Sequence, residues 1–443
     1  MNIQLSEHFS YKKLLRFTIP SIVMMIFTSI YGVVDGIFVS NFVGKIPFAA
    51  INLIMPFLML FGSLGFMVGT GGSALVSKTL GEGDRDKANR LFSMLICLSV
   101  LLGVVFSVVG MIFLRPITIL LGAEGAMIED CVTYGRILLP VTTAFILQNE
   151  FQSFLITAER PNLGLLITVA AGLTNIVLDA LFVAVFRWGL EGAAAATAIS
   201  QLVGGAIPLI YFLSPNHCIL KLTKPSFDGK ALVKTCTNGS SELMTNLSMS
   251  IVNILYNFQL IQFAGEDGVA AYGVIMYVNF IFVAVFLGYS IGSAPIVGYH
   301  YGACNTAELK SLFRKSLSLI AIFALVLTAL AELLSGVLSG IFVSYDPGLF
   351  AMTKRAFHLY SIAFLFMGFN IFASSFFTAL NDGLVSAGIS FLRTLLFQIA
   401  AVLLLPLVLE LDGIWLSIVA AELLSLGVSL FCFVRFRGKY QYY

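Results

Sequence analysis

The chain has 443 residues, of which 59% are hydrophobic and only 11% are charged. Soluble domains carry about 25% charged residues, so this composition excludes an ordinary soluble protein and predicts a polytopic membrane protein. The net charge of +2 is spread over short loops and does not indicate nucleic-acid binding. The six cysteines form no CxxC motif or Cys/His cluster, which argues against disulfides and against a zinc site.

Twelve apolar segments are candidate membrane spans, since a span takes about 20 residues. They are predicted at residues 14–39, 48–73, 91–113, 132–156, 163–186, 191–213, 243–263, 269–297, 312–334, 357–378, 384–409 and 413–434. One connection is longer than the others, polar and basic. It divides the chain into an N-terminal lobe at 1–213, a connector at 214–234 and a C-terminal lobe at 235–443. We therefore expect an all-α membrane protein.

Basic residues predict the orientation of these spans, because cytoplasmic loops carry an excess of Lys and Arg. If the N-terminus is inside, the inside loops hold most of the basic residues, for example Arg85, Lys87 and Arg90 between the second and third spans. We therefore predict a multi-pass protein of the cell (plasma) membrane, with both termini and the connector in the cytoplasm.

The two halves of the sequence repeat each other at a constant offset of 221 residues. Gly44 falls on Gly265 and Gly81 on Gly302 without a gap. Each half has six predicted spans, an even number, so both halves enter the membrane from the same side. We therefore predict two six-helix lobes, related by a pseudo-twofold axis along the membrane normal, with a central cavity between them. The alternative is an old duplication whose interface is now closed.

One carboxylate, that of Asp35, lies within the first predicted span. A charge at that depth costs about 3 kcal/mol or more, so a functional role is favoured. Pro20 lies in the same span, where it removes a backbone hydrogen bond and favours a bend. An acid on a bendable membrane helix indicates an ion or proton site on a moving part, with Pro20 as the hinge.

Further polar residues lie within the spans of the first half. They are Tyr134 and Glu150 in the fourth span, Asn175 and Asp179 in the fifth, and Thr197 and Gln201 in the sixth. The two residues of the fifth span are four apart, as are those of the sixth, so each pair shares one helix face. Hard oxygen ligands of this kind suit a proton, a sodium ion or an organic cation. The alternative is that these groups only form hydrogen bonds within a packed helix bundle.

The second half replaces the acids of the first with other residues. Under the repeat, Asp35 maps to Tyr256 and Asp179 to Ala400. The fold thus repeats while the chemistry does not, which favours a specialised ion site in the first half.

Charged residues of the second half are weaker candidates. Glu242 opens the seventh span and could face a cavity, whereas Glu422 is expected to form a structural pair with Arg393. Glu332 is a further weak candidate of the same kind.

The chain resembles the multidrug and toxic compound extrusion (MATE) family, in its prokaryotic form, along essentially its whole length. The resemblance rests on five features. They are the pattern Pro20, Asp35, Gly44; the run 69–73 (GTGGS); the loop 81–84 (GEGD); residues 158–161; and Asn175-xxx-Asp179.

In that family, a cation site of the first half uses an acid of the first span, an Asn and an Asp of the fifth, and a Thr of the sixth, with a Tyr of the fourth nearby. The resemblance implies that coupling role for Asp35, Asn175, Asp179, Thr197 and Tyr134. If the ion is sodium, the first four residues are its implied ligands. Secondary positions, acidic or substrate-binding, are Glu150, Gln201 and Glu242. The acids of the family's eighth and tenth spans have no clear match here.

Two functions remain open at this point. The leading one is a secondary antiporter that exports amphipathic organic cations in exchange for H⁺ or Na⁺. The alternative is a flippase for lipid-linked precursors, whose anionic headgroup predicts several basic residues in the cavity. An enzyme is not expected, because no nucleophile–base or metal spacing occurs. We expect a monomer in the bilayer, a small-molecule substrate, no nucleic acid, and no cofactor apart from the coupling ion.

Overall fold

The computed structural model of the chain describes residues 3–216, 218–344 and 346–443, and within these ranges all regular structure is helical. The helices are α1 (Tyr11–Phe42), α2 (Lys45–Gly81), α3 (Arg85–Leu120), α4 (Ala126–Leu138), α5 (Thr142–Thr157), α6 (Pro161–Asp179), α7 (Gly189–Leu213), α8 (Gly229–Gly302), α9 (Thr306–Val343), α10 (Pro347–Ser361), α11 (Phe364–Ala379), α12 (Gly383–Phe391), α13 (Phe397–Leu404) and α14 (Pro406–Tyr440). A 3₁₀ turn (Leu139–Val141) joins α4 to α5, and π-helical turns follow α6 (Ala180–Val185) and α12 (Leu392–Leu396).

Polar loop residues determine where several of these helices begin. Ser10, Asp84, Asp228, Asn305 and Asp346 each accept a hydrogen bond from a backbone N–H in the first turn of the following helix. Such N-caps satisfy donors that have no partner inside the helix. The sequence therefore specifies helix starts locally, and the apolar segment that follows each cap crosses the membrane.

The number of spans agrees with the sequence. Ten helical segments of the described chain are long and apolar enough to cross a membrane, and the pair α10–α11, bent by 47°, forms an eleventh. Helix α8 supplies two spans, because its backbone leaves the helical region at Gly265, where φ is 60° and ψ is −147°. The chain folds back there, since Tyr272 stacks on Tyr256 with ring centroids 5.2 Å apart. The twelve predicted spans are confirmed.

Helices α1–α7 form one lobe and α8–α14 the other, and their contact reflects the internal repeat. A Cβ on Gly71 of α2 would lie 2.6 Å from the amide nitrogen of Gly239 in α8. A Cβ on Gly292 of α8 would lie 3.2 Å from the Cβ atom of Thr18 in α1. The offset of 221 residues carries Gly71 to Gly292 and Thr18 to Gly239, so the two contacts are mates under one rotation. The predicted pseudo-twofold relation of the lobes is thus confirmed.

The lobes meet at the end of the molecule that carries both chain termini. Near the N-terminus, the Phe9 amide donates a hydrogen bond to Glu308 at the start of α9. Near the C-terminus, Tyr442 packs on Phe313 of the same helix. Toward the opposite end, the later half of α1 and the first half of α2 line a cavity between the lobes. The molecule is therefore closed on the side of the termini.

The segment that joins the lobes runs along α3. The Lys221 amide donates to Asn89 Oδ1 at 2.9 Å, and the Thr223 amide donates to Ser93 Oγ at 2.7 Å. Helix α8 begins at Gly229, so residues 229–234 of the predicted connector belong to that helix.

Candidate functional site

A cavity of about 700 Å³ lies between the lobes and extends into the first one. Its walls come from α1, α2, α5, α6 and α7, and from α8 of the second lobe. Four predicted site residues line it: Asp35, Asn175, Thr197 and Gln201. Asp179 is fully buried, one turn after Asn175 on α6. The fold thus collects polar side chains from helices that are distant in sequence.

Buried oxygen atoms of the predicted cation site lack hydrogen-bond partners. Within the described chain, no group donates with normal geometry to Asp35 Oδ1, Asn175 Oδ1, either carboxylate oxygen of Asp179, or Thr197 Oγ1. Nearly all buried polar atoms of folded proteins are satisfied, so orphaned oxygens require an explanation. Their occurrence on all four predicted ligands points to a site that takes a proton or a cation.

The side chains of this group are neighbours in space. The Asp35 carboxylate lies in the range of side-chain interactions with Asp179 and Asn175. The buried phenol of Tyr134, from α4, lies near both Asp35 and Thr197. Two carboxylates, an amide, an aliphatic hydroxyl and a phenol from different predicted spans therefore lie close together.

A local irregularity of α6 adjoins the site. Helix α6 ends at Asp179, and the next residues, Ala180–Val185, form a π-helical turn. Such turns are often found at functional sites, because the wider turn disturbs the regular ladder of hydrogen bonds. The backbone that carries Asp179 is thus irregular at the point where its carboxylate meets Asp35.

The donor set of this site fits a hard monovalent cation. Its ligands are oxygen atoms only, which suits H⁺ or Na⁺ and does not suit a soft metal. No group of three or more His, Cys, Asp or Glu side chains that could hold a metal occurs among the residues that the structure describes. A bound ion would therefore depend on Asn175 and Thr197 as well as on the two acids.

The secondary positions fall in three different environments. Gln201 lines the main cavity. Glu150 is fully buried in the first lobe beside Ser99, and it is not among the residues that line the described cavities. Glu242 faces a small pocket of about 30 Å³ between the lobes, together with Ser73 and Ser153 of the first lobe. The structure thus separates Glu150 and Glu242 from the Asp35 group.

The predicted hinge residue, Pro20, is buried in a helix that is continuous from Tyr11 to Phe42. The next residues, Ser21 and Ile22, touch the backbone of Gly288 in α8. The proline therefore lies in the part of α1 that is packed against the second lobe, below the cavity-lining segment that carries Asp35.

Several cavity residues were missed by the sequence analysis. They are Tyr31, Asn52, Gln148, Asn149, Asn246 and Asn253. Tyr31 lies one turn before Asp35, and its hydroxyl lies near Gln148. An amide within an apolar span and a tyrosine four residues before an acid are signals that a helix-face argument could have used.

A second cavity, of about 210 Å³, lies in the second lobe. It shares the lining residues Met249, Asn253 and Phe280 with the first cavity, so the two cavities adjoin. Its wall includes Arg393 and Glu422, and Arg393 Nε lies 2.9 Å from Glu422 Oε1. The ion pair expected from the sequence is therefore formed.

Comparisons with known proteins agree with this architecture. The sequence model of the MatE family matches residues 20–181 and 243–403. The multidrug export protein MepA of Staphylococcus saprophyticus subsp. saprophyticus is 24% identical over 368 residues, which cover 81% of this chain and 80% of that protein. MepA of Staphylococcus aureus (strain MRSA252) is 22% identical over 437 residues, which cover 96% of this chain and 94% of that protein.

One solved structure shows how closely the fold is shared. It is described as the outward-facing conformation of a multidrug resistance MATE family transporter of the MOP superfamily. The two chains superpose with a TM-score of 0.92 at 24% identity, over 98% of this chain and 97% of the other. This likeness confirms the predicted fold of two six-helix lobes.

Proposed function

Since the chain belongs to the MatE family of multidrug and toxic compound extrusion transporters, we propose that it is an antiporter that exports amphipathic organic cations in exchange for H⁺ or Na⁺. One observation carries this proposal. Asp35 lines the cavity between the lobes and adjoins the buried Asp179, and neither acid has a basic partner in the described structure.

The walls of the cavity support an amphipathic substrate. Met55, Met59, Phe66, Phe145 and Phe280 line it beside the polar residues. Flexible methionines adapt to ligands of different shape, and aromatic faces attract cations. A substrate with an apolar body and a positive charge therefore finds both an adaptable surface and, at Asp35, an opposite charge.

The two acids suggest how an ion drives export. Two carboxylates that share a site of low polarity cannot both ionise easily, so the pair of Asp35 and Asp179 holds one proton. A sodium ion, with Asn175 and Thr197 as further ligands, could replace that proton. Either ion removes negative charge from the site, so a cationic substrate loses part of its attraction. Ion and substrate then exclude each other, as antiport requires.

Efflux from vesicles tests the function. The purified protein is reconstituted in liposomes loaded with a fluorescent organic cation, and a pH gradient or a sodium gradient is imposed in turn. We expect export with one of the gradients and none after its collapse. A protein that moves the cation equally well without any ion gradient would not be an antiporter. The matched control is the Asp35→Asn variant, which keeps the volume of the side chain.

Equilibrium binding tests the coupling separately. A rise in H⁺ or Na⁺ concentration should weaken substrate binding to the wild type, and Asp35→Asn should flatten that dependence. The coupling is limited by the difference in ion affinity between the two states. A wild-type affinity that stays constant across pH and sodium concentration would disprove this mechanism even for a genuine exporter.

The charges of the cavity favour export of a cation over the alternative of a flippase. Among the residues that line the two large cavities, Arg393 is the one basic residue, and it is paired with Glu422. An anionic pyrophosphate headgroup would require several basic residues. Movement of lipid-linked precursors between the two leaflets of the bilayer, without export of any cation, would favour the flippase instead.

We further propose that the closed side, which carries both termini, faces the cytoplasm of a cell membrane and that the protein acts as a monomer. The basic residues of the loops on that side support the orientation. In this orientation the cavity faces outward. Labelling of an engineered cysteine near the C-terminus in intact cells and in lysed cells would test it.

A further inference from the structure

Arg393 occupies an unusual place in the fold. It lies in the π-helical turn Leu392–Leu396 and lines the cavity of the second lobe. The first lobe has its own π-helical turn directly after Asp179. The fifth span of each lobe thus carries a charge at or beside a π-helical turn, negative in the first lobe and positive in the second.

Glu422 is held by more than one partner. Arg393 Nε donates to both of its carboxylate oxygens, at 2.9 and 3.1 Å, and Asn370 Nδ2 donates to Oε2 at 2.8 Å. Ser429 donates to Asn370 Oδ1 at 2.8 Å, which fixes the orientation of the amide. The side chain of Glu422 is 1% exposed, so its carboxylate interacts only with groups of the protein.

The guanidinium of Arg393, in contrast, has hydrogen-bond donors without a partner among the described residues. Only its Nε donates to Glu422, and the four N–H groups on Nη1 and Nη2 donate to no group of the described chain. The side chain remains 13% exposed at the cavity wall. Terminal guanidinium nitrogens in this arrangement form a fork that matches a carboxylate.

The surroundings of this fork suit an aromatic acid. Tyr256 and Tyr272 stack with an interplanar angle of 6° and line the same cavity. The Tyr256 hydroxyl donates to Gln398, and the Tyr272 hydroxyl donates to Asn253 at the junction with the main cavity. Both phenols are therefore fixed, and both side chains line the wall of the cavity that holds Arg393.

We propose that the cavity of the second lobe is a subsite for the carboxylate of a zwitterionic aromatic substrate, with Arg393 as the group that binds it. The amine of the same substrate then lies toward Asp35 in the adjoining first cavity. This inference rests on the proposed export of amphipathic cations and narrows it to molecules that also carry an acid.

A matched pair of probes tests the subsite. One is a rhodamine with a free carboxylate, and the other is its methyl ester, which has the same ring system and only the positive charge. Binding of each to the purified protein in nanodiscs is measured by fluorescence polarisation. We expect the wild type to bind the acid at least as tightly as the ester.

The decisive variant is Arg393→Met combined with Glu422→Gln. Replacing both partners avoids an unpaired buried carboxylate, which by itself would destabilise the fold. We expect about a tenfold loss of affinity for the acid, and about twofold or less for the ester. The Arg393→Lys variant keeps the charge without the fork, so its loss for the acid should be intermediate.

The outcomes separate the subsite from the proposed function. An unchanged affinity for the acid in the double variant, or an equal loss for both probes, would overturn the subsite. A wild type that binds the ester and rejects the acid would overturn it as well. Failure of the wild type to bind or export the ester would instead contradict the proposed export of cations.

Discussion

Gly81 and Gly302 are mates under the internal repeat, and each packs against the helix that carries the other. A Cβ on Gly81 would overlap the carbonyl oxygen of Tyr299 in α8, and a Cβ on Gly302 would overlap that of Lys78 in α2. Lys78 and Tyr299 are themselves repeat mates. The contact is reciprocal, as in a symmetric dimer interface, and it lies on the closed side of the molecule.

Alanine at either of these glycines should weaken the closed side. Overpacking of a tight contact costs about 1–3 kcal/mol, and the reciprocal geometry predicts similar effects for Gly81→Ala and Gly302→Ala. We expect a wider distribution of distances across the closed side, measured between spin labels on the two lobes. The control is Gly427→Ala, on the exposed face of α14, where an added Cβ meets nothing within 4 Å. A closed side that stays as narrow as in the wild type would show that the contact does not hold it.

Replacement of the acids should separate stability from transport. We expect Asp35→Asn and Asp179→Asn to lower the transport rate by more than about tenfold, because the ion then loses a charged ligand. Thr197→Ala removes a neutral ligand and should be milder. The melting temperature should not fall in the Asp179→Asn variant. A buried carboxylate without a hydrogen-bond partner destabilises the fold, and this substitution removes it. Wild-type efflux from a correctly inserted Asp35→Asn protein would contradict the proposed site.

The N-terminal segment should help to keep the lobes together. The Leu5 amide donates to Glu159 of the first lobe at 2.7 Å, and the Phe9 amide donates to Glu308 of the second lobe at 2.9 Å. Hydrogen bonds to charged groups contribute about 1.5–3 kcal/mol. Glu308→Ala should therefore speed hydrogen exchange in residues 3–10 and favour opening on this side. Glu124→Ala, at an exposed loop position, is the control. Unchanged exchange in Glu308→Ala would mean that the segment is held by its apolar contacts alone.

The C-terminal segment should detach in acid. Burial acts to raise the pKa of Asp382, but hydrogen bonds from Tyr440 and Lys439 outweigh it, so the pKa lies below its usual value. A lowered pKa stabilises the fold above the unfolded value of about 3.9 and loses that effect as the pH falls through the folded value. We expect proteolysis near the C-terminus to rise below about pH 4, and Asp382→Asn to show the rise already at neutral pH. Equal cleavage of wild type and variant at neutral pH would rule out this anchor.

Much of the architecture could be predicted from the sequence by itself. The twelve spans follow from apolar segments between polar caps, because membrane insertion depends on the local transfer of side chains into lipid. The repeat predicted the relation of the lobes, since matching segments fold alike. The group of Asp35, Asn175, Asp179 and Thr197 was recognisable because polar side chains are rare and costly in a span.

The tertiary structure alone decided which polar groups face the cavity. Gln201 lines it and Glu150 does not, although both lie in apolar spans of the first lobe. The tertiary structure also decided the surroundings of Arg393. Its pairing with Glu422 was predictable from the sequence, but the position of its terminal nitrogens at the cavity wall was not. The physical reason is that the direction of a side chain depends on the rotation of its helix against its neighbours. That rotation is set by packing between segments far apart in sequence, such as Gly71 against Gly239.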